Sequence, residues 1–212
     1  MRASGDLSYA KYPLFRHLVS TSSVPLARAV CSYHGRRMGI IVTSRLSLEP
    51  ITLEIVEAVF RDDRAELEAI TRARVPSVWP GRGLVEQAFS ASLEAIRADP
   101  TNRLWGNRLM VMRAPHRRVV GSIVFHGAPN SAGVVEIGYG VEERWQRAGI
   151  ASEAARAMVA WALAQPGVQC VAATTPPWHS ASIRVLEKAG CVRMGLEEHE
   201  ALGEVVRYEA RR

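Results

Sequence analysis

From residue 41 onward the chain acquires a period. Ile41, Thr43, Arg45, Ser47 and Glu49 alternate with Val42, Leu46 and Leu48, which predicts one continuous β-strand with a mixed face. Thr52 reads as the N-cap of a helix carrying Leu53, Val56, Val59 and Phe60 on one side. Asp63 and Glu66 stand at capping-box spacing, and Leu67 and Ile70 prolong an apolar side until Pro76 stops it. A turn-rich stretch over 78–83 precedes Val85, Phe89, Leu93 and Ile96, a helical stripe closed by Asp99 and Pro100. Three strand-like runs follow, over 108–112, 119–125 and 134–141, joined by the hairpin-sized segments "APHRR" and "GAPNSAG". Ile150, Ala154, Met158 and Trp161 then form another helical stripe, broken at Pro166-Gly167. The remainder reads as a short apolar strand over 169–174, a helix over 180–189 and two strands over 191–198 and 205–210.

This order predicts an α/β (α+β) domain: a mixed, mostly antiparallel sheet of about seven strands with helices on both faces. At 212 residues and 48% apolar content the chain is long enough for one substantial core. The net charge of +6 is unevenly spread. Residues 1–38 hold six Lys/Arg against a single acid, whereas the following residues hold 21 basic and 20 acidic side chains. A general polyanion-binding surface on the folded body therefore lacks support, and nucleic acid is not an expected partner. Residues 1–38 read as a basic N-terminal extension, either a flexible or targeting-like arm or sequence upstream of a natural start at Met38; the composition break favours the second, leaving 39–212 as the domain. Cys31, Cys170 and Cys191 are odd in number, form no CxxC pair and sit in apolar surroundings, which suits a reducing, cytoplasmic location. No metal-ligand set is read, and no apolar run reaches membrane-spanning length.

The chemistry-bearing stretch is "RWQRAGIASEA", where a strand hands over to a helix through a lone glycine. A helix N-terminus leaves about four N–H groups without partners and carries roughly half a positive charge. A phosphate reaches those donors only past small residues, which Ala148, Gly149 and Ala151 supply, while Gln146 and Arg147 add polar and cationic arms. Neither G-x-G-x-x-G nor G-x-x-x-x-G-K-S/T is present, so neither a dinucleotide fingerprint nor a P-loop is indicated. A helix start that merely contains glycine is the competing reading.

Residues Gln146–Ala151 resemble the Q/R-x-x-G-x-G/A pyrophosphate loop of the GCN5-related N-acetyltransferase (GNAT) superfamily. The stretch "HSASIRVLEKAGC" is similar to the N-x-x-S-x-R-V-L-E-K-x-G-F segment of its ribosomal-protein N-acetyltransferase-like branch, and the order of elements over about 42–208 is also similar. The resemblance implies an enzyme that moves an acetyl group from acetyl-CoA to a primary amine by direct attack in a ternary complex. It implies that Gln146, Arg147, Ala148, Gly149, Ile150 and Ala151 hold the pyrophosphate, and that the pantetheine arm lies like a short strand beside Ile137, Tyr139 and Val141. His179 stands where the family has asparagine, and Leu186 where many relatives carry tyrosine, so a tyrosine proton donor is vacant there. Ser182 becomes the candidate for contacting the CoA sulfur, with local helix capping as its alternative role.

An amine attacks a thioester only when neutral, so a base is needed. Glu136 shares a strand face with Gly138 and Gly140 and is the candidate, an exposed structural glutamate being the alternative. Trp79 and Arg82 in the 74–83 loop, with Glu197, Glu198 and Glu200 near the last hairpin, are candidates for lining an acceptor cleft. The acceptor is an amine on a small molecule or a protein N-terminus, and a homodimer is compatible with the fold class. A non-catalytic acyl-CoA-binding regulatory module is the alternative function.

Overall fold

The computed structural model describes residues 39–76, 92–113, 115–199 and 202–212. The 1–38 extension, Cys31, Trp79, Arg82, Glu200 and the Val85 and Phe89 portion of the expected helix lie outside the described residues. Eight strands form one sheet: β1 (Ile41–Val42), β2 (Leu46–Pro50), β3 (Arg108–Met112), β4 (Arg118–Phe125), β5 (Val134–Val141), β6 (Cys170–Thr175), β7 (Val192–His199) and β8 (Gly203–Arg211). Their spatial order is β1-β2-β3-β4-β5-β6-β8-β7. Every neighbouring pair is antiparallel except β5 and β6. The helices are α1 (Leu53–Phe60), α2 (Arg64–Thr71), α3 (Leu93–Ala98), α4 (Pro100–Arg103), α5 (Ile150–Leu163) and α6 (Ser180–Lys188).

Local chemistry sets several boundaries. Thr52 and Asp63 accept from the backbone N–H groups of Ile55 and Glu66, so both act as N-caps. Asp99 caps α4, whose first residue is Pro100, a position where the missing N–H has no cost. Two apolar clusters lie on opposite faces of the sheet. One joins Leu46, Met110, Ile137 and Val141 to α5 through Ile150, Ala154 and Met158 and to α6 through Leu186. The other joins Val111, Val119 and Val124 to Val56, Val59, Leu67 and Ile96.

The first expected strand is in fact a hairpin. Ile41 pairs with Leu48 and Val42 with Ser47, and the chain reverses over Thr43, Ser44 and Arg45. The cause lies far along the sequence. One Glu153 oxygen, in the first turn of α5, accepts from Thr43 Oγ1 at 2.6 Å, Ser44 Oγ at 3.1 Å and the Arg45 backbone N–H at 2.8 Å. Its other oxygen accepts from Arg45 Nε at 2.7 Å. A carboxylate that caps three successive residues holds them in a turn that the local alternation does not reveal.

Arg108 is another departure from pattern. It is fully buried on β3, with its guanidinium 5.2 Å from the Trp161 ring centroid. Its Nε and Nη2 have no hydrogen-bond partner among the described residues, and burial lowers its pKa to about 10. A buried donor without a partner costs about 1–3 kcal/mol.

Two measurements follow from these side chains. Burial alone would raise the Glu153 pKa, but the bonds from Thr43 and Arg45 outweigh it and hold it at about 2, below the ordinary 4.5. Its stabilisation is therefore full above that ordinary value and is lost as the pH falls toward the folded one. Arg45 is 43% exposed, so solvent screening leaves about 1 kcal/mol. In urea unfolding, Glu153→Gln should be less stable than the parent at neutral pH, and the gap should close as the pH drops from 4.5 toward 2; a gap that ignores pH would contradict this. Arg108→Met should keep stability within about 1 kcal/mol of the parent or raise it, and a loss above about 2 kcal/mol would mean that Nε and Nη2 are hydrogen-bonded after all.

Candidate active site

The site grows out of the one parallel pairing. β5 and β6 are in register only at Val134↔Cys170, Val135↔Val171 and Glu136↔Ala172. From Ile137 to Val141, β5 continues with β4 on one side and, among the described residues, no paired strand on the other. A sheet that opens in this way exposes backbone N–H and C=O groups to an added extended chain.

At the end of the open strand the chain turns into α5. Gln146 Nε2 donates to Val141 O at 3.0 Å, tying the turn to the strand. Gln146, Arg147, Ala148 and Gly149 are all exposed, and Ile150 is buried as the first residue of the helix. Gly149 is the N-cap, with φ of 78° and no side-chain hydrogen bond capping the helix. That left-handed conformation favours glycine, and the helix starts without a side-chain cap on its first amides among the described residues. Arg147 also has positive φ, 61°. Arg45 braces the turn, donating from Nη1 to Ala148 O at 2.7 Å, and a Cβ at position 149 would come within 3.4 Å of its Nη2.

The two faces of β5 carry different chemistry. On the α6 side, the Tyr139 hydroxyl lies 3.1 Å from Ser182 Oγ and 3.2 Å from Ser182 O. Burial pushes the Tyr139 hydroxyl up to about 12, so it remains a proton-bearing donor at neutral pH. His179 is the N-cap of α6, its Nδ1 accepting from Ser182 N at 3.1 Å. That bond reproduces the capping an asparagine would supply, and it assigns the proton to Nε2 as an outward donor. The Trp178 and His179 rings stack at 5.7 Å between centroids. Leu186 is 1% exposed and belongs to the apolar core, so nothing at that position reaches the open strand.

On the other face stands Glu136. One carboxylate oxygen accepts from Thr174 Oγ1 at 3.0 Å, and the other lies 3.8 Å from His126 Nδ1. Burial alone would raise the Glu136 pKa, but His126, Thr174 and the positive field of Arg207 lower it below 4.5, keeping the group ionised. Gly140 has open space where a side chain would be, and a Cβ on Gly138 would meet His126 Nε2 at 3.4 Å. The His126 ring therefore covers bare backbone beside Glu136.

Glu136 and Ser182 thus lie on opposite faces of the same open strand, while Tyr139 and Ser182 meet directly. Three neighbouring residues escape a sequence reading. Arg45 looks like one polar position of a strand, Thr174 like the end of an apolar one, and His126 like the first residue of a turn. The β4–β5 register makes His126 the cross-strand neighbour of Glu136, its backbone N–H donating to Glu136 O at 3.0 Å, and register is what a one-dimensional pattern lacks. Of the acceptor-side candidates, Glu197 lies 3.5 Å from Arg207 Nη1.

The family model described as "Acetyltransferase (GNAT) domain" matches residues 45–192, more than half of the chain. The uncharacterized N-acetyltransferase YjdG of Bacillus subtilis strain 168 is 23% identical over 155 residues, spanning 73% of this chain and 90% of that protein. Among solved structures, a GNAT-family acetyltransferase from Bacillus anthracis superposes with a TM-score of 0.54 at 22% identity, covering 82% of this chain and 98% of its own. The ribosomal-protein α-N-acetyltransferase RimL, solved with coenzyme A, superposes with a TM-score of 0.54 at 17% identity, covering 81% and 97%. The splayed strand pair, the glycine turn and the matched domain lead to one assignment: the chain belongs to the GNAT acetyltransferase family, enzymes that take acetyl-CoA as the acetyl donor.

Proposed function

We propose that this protein transfers the acetyl group of acetyl-CoA to a primary amine by direct attack, with the amine on a small molecule or a protein N-terminus. The observation that carries this reading is the helix start at Gly149, exposed, bare of side-chain caps and placed beyond a strand edge that, among the described residues, has no partner from Ile137 onward. The backbone amides of Gln146 to Ala151 suit a pyrophosphate, and the edge from Ile137 to Val141 suits the amide-bearing pantetheine arm. His179 Nε2–H offers a further donor from the facing helix terminus.

Three roles follow for the chain's own residues. Glu136, held ionised between Thr174 and His126, takes a proton from the acceptor ammonium or from the adduct formed by its attack. The amine nitrogen bonds the acetyl carbon, the carbon–sulfur bond breaks, and the thiolate leaves with a proton. The Ser182 and Tyr139 hydroxyls, joined at 3.1 Å on the opposite face, are the nearest candidates for supplying that proton. Gly140 leaves room beside the strand for the reacting groups, and holding amine and thioester in attack geometry is itself worth several kcal/mol.

The test is a thiol-release assay of acetyl-CoA against spermidine, kanamycin and an alanine-initiated peptide. The unmodified protein should release thiol with at least one of them. Gly149→Glu, which places a carboxylate and a strained side chain against the expected pyrophosphate, should raise the acetyl-CoA KM by about 100-fold or more. Glu136→Gln should lower kcat by about 10²–10⁴-fold while changing the acetyl-CoA KM by only a few-fold. Failure of the unmodified protein either to bind or to consume acetyl-CoA would refute the reading. Binding without thiol release across the panel would favour a non-catalytic acyl-CoA sensor.

A further inference from the structure

A second basic feature lies apart from the glycine turn. Between the end of α2 and the turn joining β3 to β4 is a cleft of about 590 Å³, lined by Arg72, Arg74, His116, Arg117 and Arg118 with Glu68 as its acid. None of the pyrophosphate-loop residues lines it. Over the folded body basic and acidic residues nearly cancel, so this concentration of arginine is visible only once the chain is folded.

Its walls are fixed by hydrogen bonds that leave most of the cations uncommitted. Arg117 is the brace: it donates from Nε to Arg72 O at 3.2 Å, and from Nη2 to Thr71 O at 3.1 Å and to Glu49 Oε1 at 2.6 Å. The backbones interlock as Arg74 N donates to Arg117 O at 3.0 Å and Val119 N to Arg74 O at 2.9 Å. Glu68 is engaged, accepting from Val75 N at 2.9 Å and lying 3.7 Å from Arg64 Nε. The guanidinium groups of Arg72, Arg74 and Arg118, by contrast, make no hydrogen bond or ion pair among the described residues. Arg72 is held in the left-handed region at φ 49°, a conformation that is strained for a non-glycine residue.

We propose that this cleft binds a small molecule bearing a phosphomonoester. Arginine presents a planar fork of donors suited to paired oxygens, and it binds anions with less loss of hydration than lysine. A carboxylate has two oxygens and is satisfied by one fork. A phosphomonoester offers three terminal oxygens and up to two charges to the uncommitted forks. The remaining lining, Ala73 and Pro115, contributes little apolar surface, which argues against an aromatic group as the main source of affinity.

The test is calorimetric titration of the full chain with phosphoserine, with and without saturating 3′-dephospho-coenzyme A, whose pyrophosphate occupies any anion site at the glycine turn and which carries no phosphomonoester of its own. Arg72→Asn with Arg74→Gln removes two exposed forks while retaining a residue that tolerates left-handed backbone, and Arg193→Gln on β7 controls for lost charge. Phosphoserine should bind one-to-one in both arms, weaken with added salt, lose affinity at least about tenfold in the double variant and keep it in Arg193→Gln. No saturable binding would overturn the inference, as would binding that the double variant leaves intact. So would equal binding of triglutamate, or binding of a single-stranded oligonucleotide in the absence of phosphoserine binding. The inference does not depend on acetyl transfer, because the double variant is read by phosphoserine affinity alone.

Discussion

The parting of β5 from β6 after Glu136 is the constraint on which the functional architecture depends. Three residue pairs hold the strands in parallel, and beyond them, among the described residues, β5 pairs with β4 alone. A strand edge inside a sheet is normally covered, because unpaired N–H and C=O groups are costly when removed from water. Different groups stand on the two faces of the sheet along this edge. Tyr139 leans toward α6 and joins Ser182, while Glu136 leans the other way and takes a hydroxyl from Thr174. Alternation along one strand thus places a carboxylate and a pair of hydroxyls on opposite faces of β5.

The open edge is useful only if the helix that follows it starts at the right place. Gly149 allows the turn, and Glu153 one turn later fastens α5 to the β1–β2 turn by bonds to Thr43, Ser44 and Arg45. Arg45 completes the arrangement by also holding Ala148 O. A single carboxylate therefore links the first hairpin of the domain to the first turn of α5, next to the exposed glycine turn. The buried Arg108 and the braced Arg117 show that cations serve more than one purpose in this sheet. One sits over Trp161 in the core, and the other clamps α2 to β4.

Much of this was legible before folding. The runs 134–141 and 108–112 coincide with β5 and β3, the Thr52 and Asp63 caps stand where their side chains imply, and the helix begins at Ile150 directly after the glycine. These are local effects, set by alternation, capping and backbone freedom within a few residues. The β1–β2 reversal was not legible, because its cause is a carboxylate more than a hundred residues away. His126 and Thr174 were missed for a related reason, since each matters only through strand register beside Glu136. At position 179, where histidine stands in place of the family's asparagine, the ring caps α6 through Nδ1, a role set by the local helix start.

In the proposed transfer, backbone amides at the start of α5, rather than side-chain cations, receive the charged part of the acetyl donor. The most direct measurement is a crystal structure of the complex with coenzyme A. The account predicts pyrophosphate oxygens within hydrogen-bond distance of the amides around Gly149, Ile150 and Ala151, with the pantetheine arm beside Ile137 to Val141. Coenzyme A lodged elsewhere, or a glycine turn filled by the protein's own side chains, would contradict it.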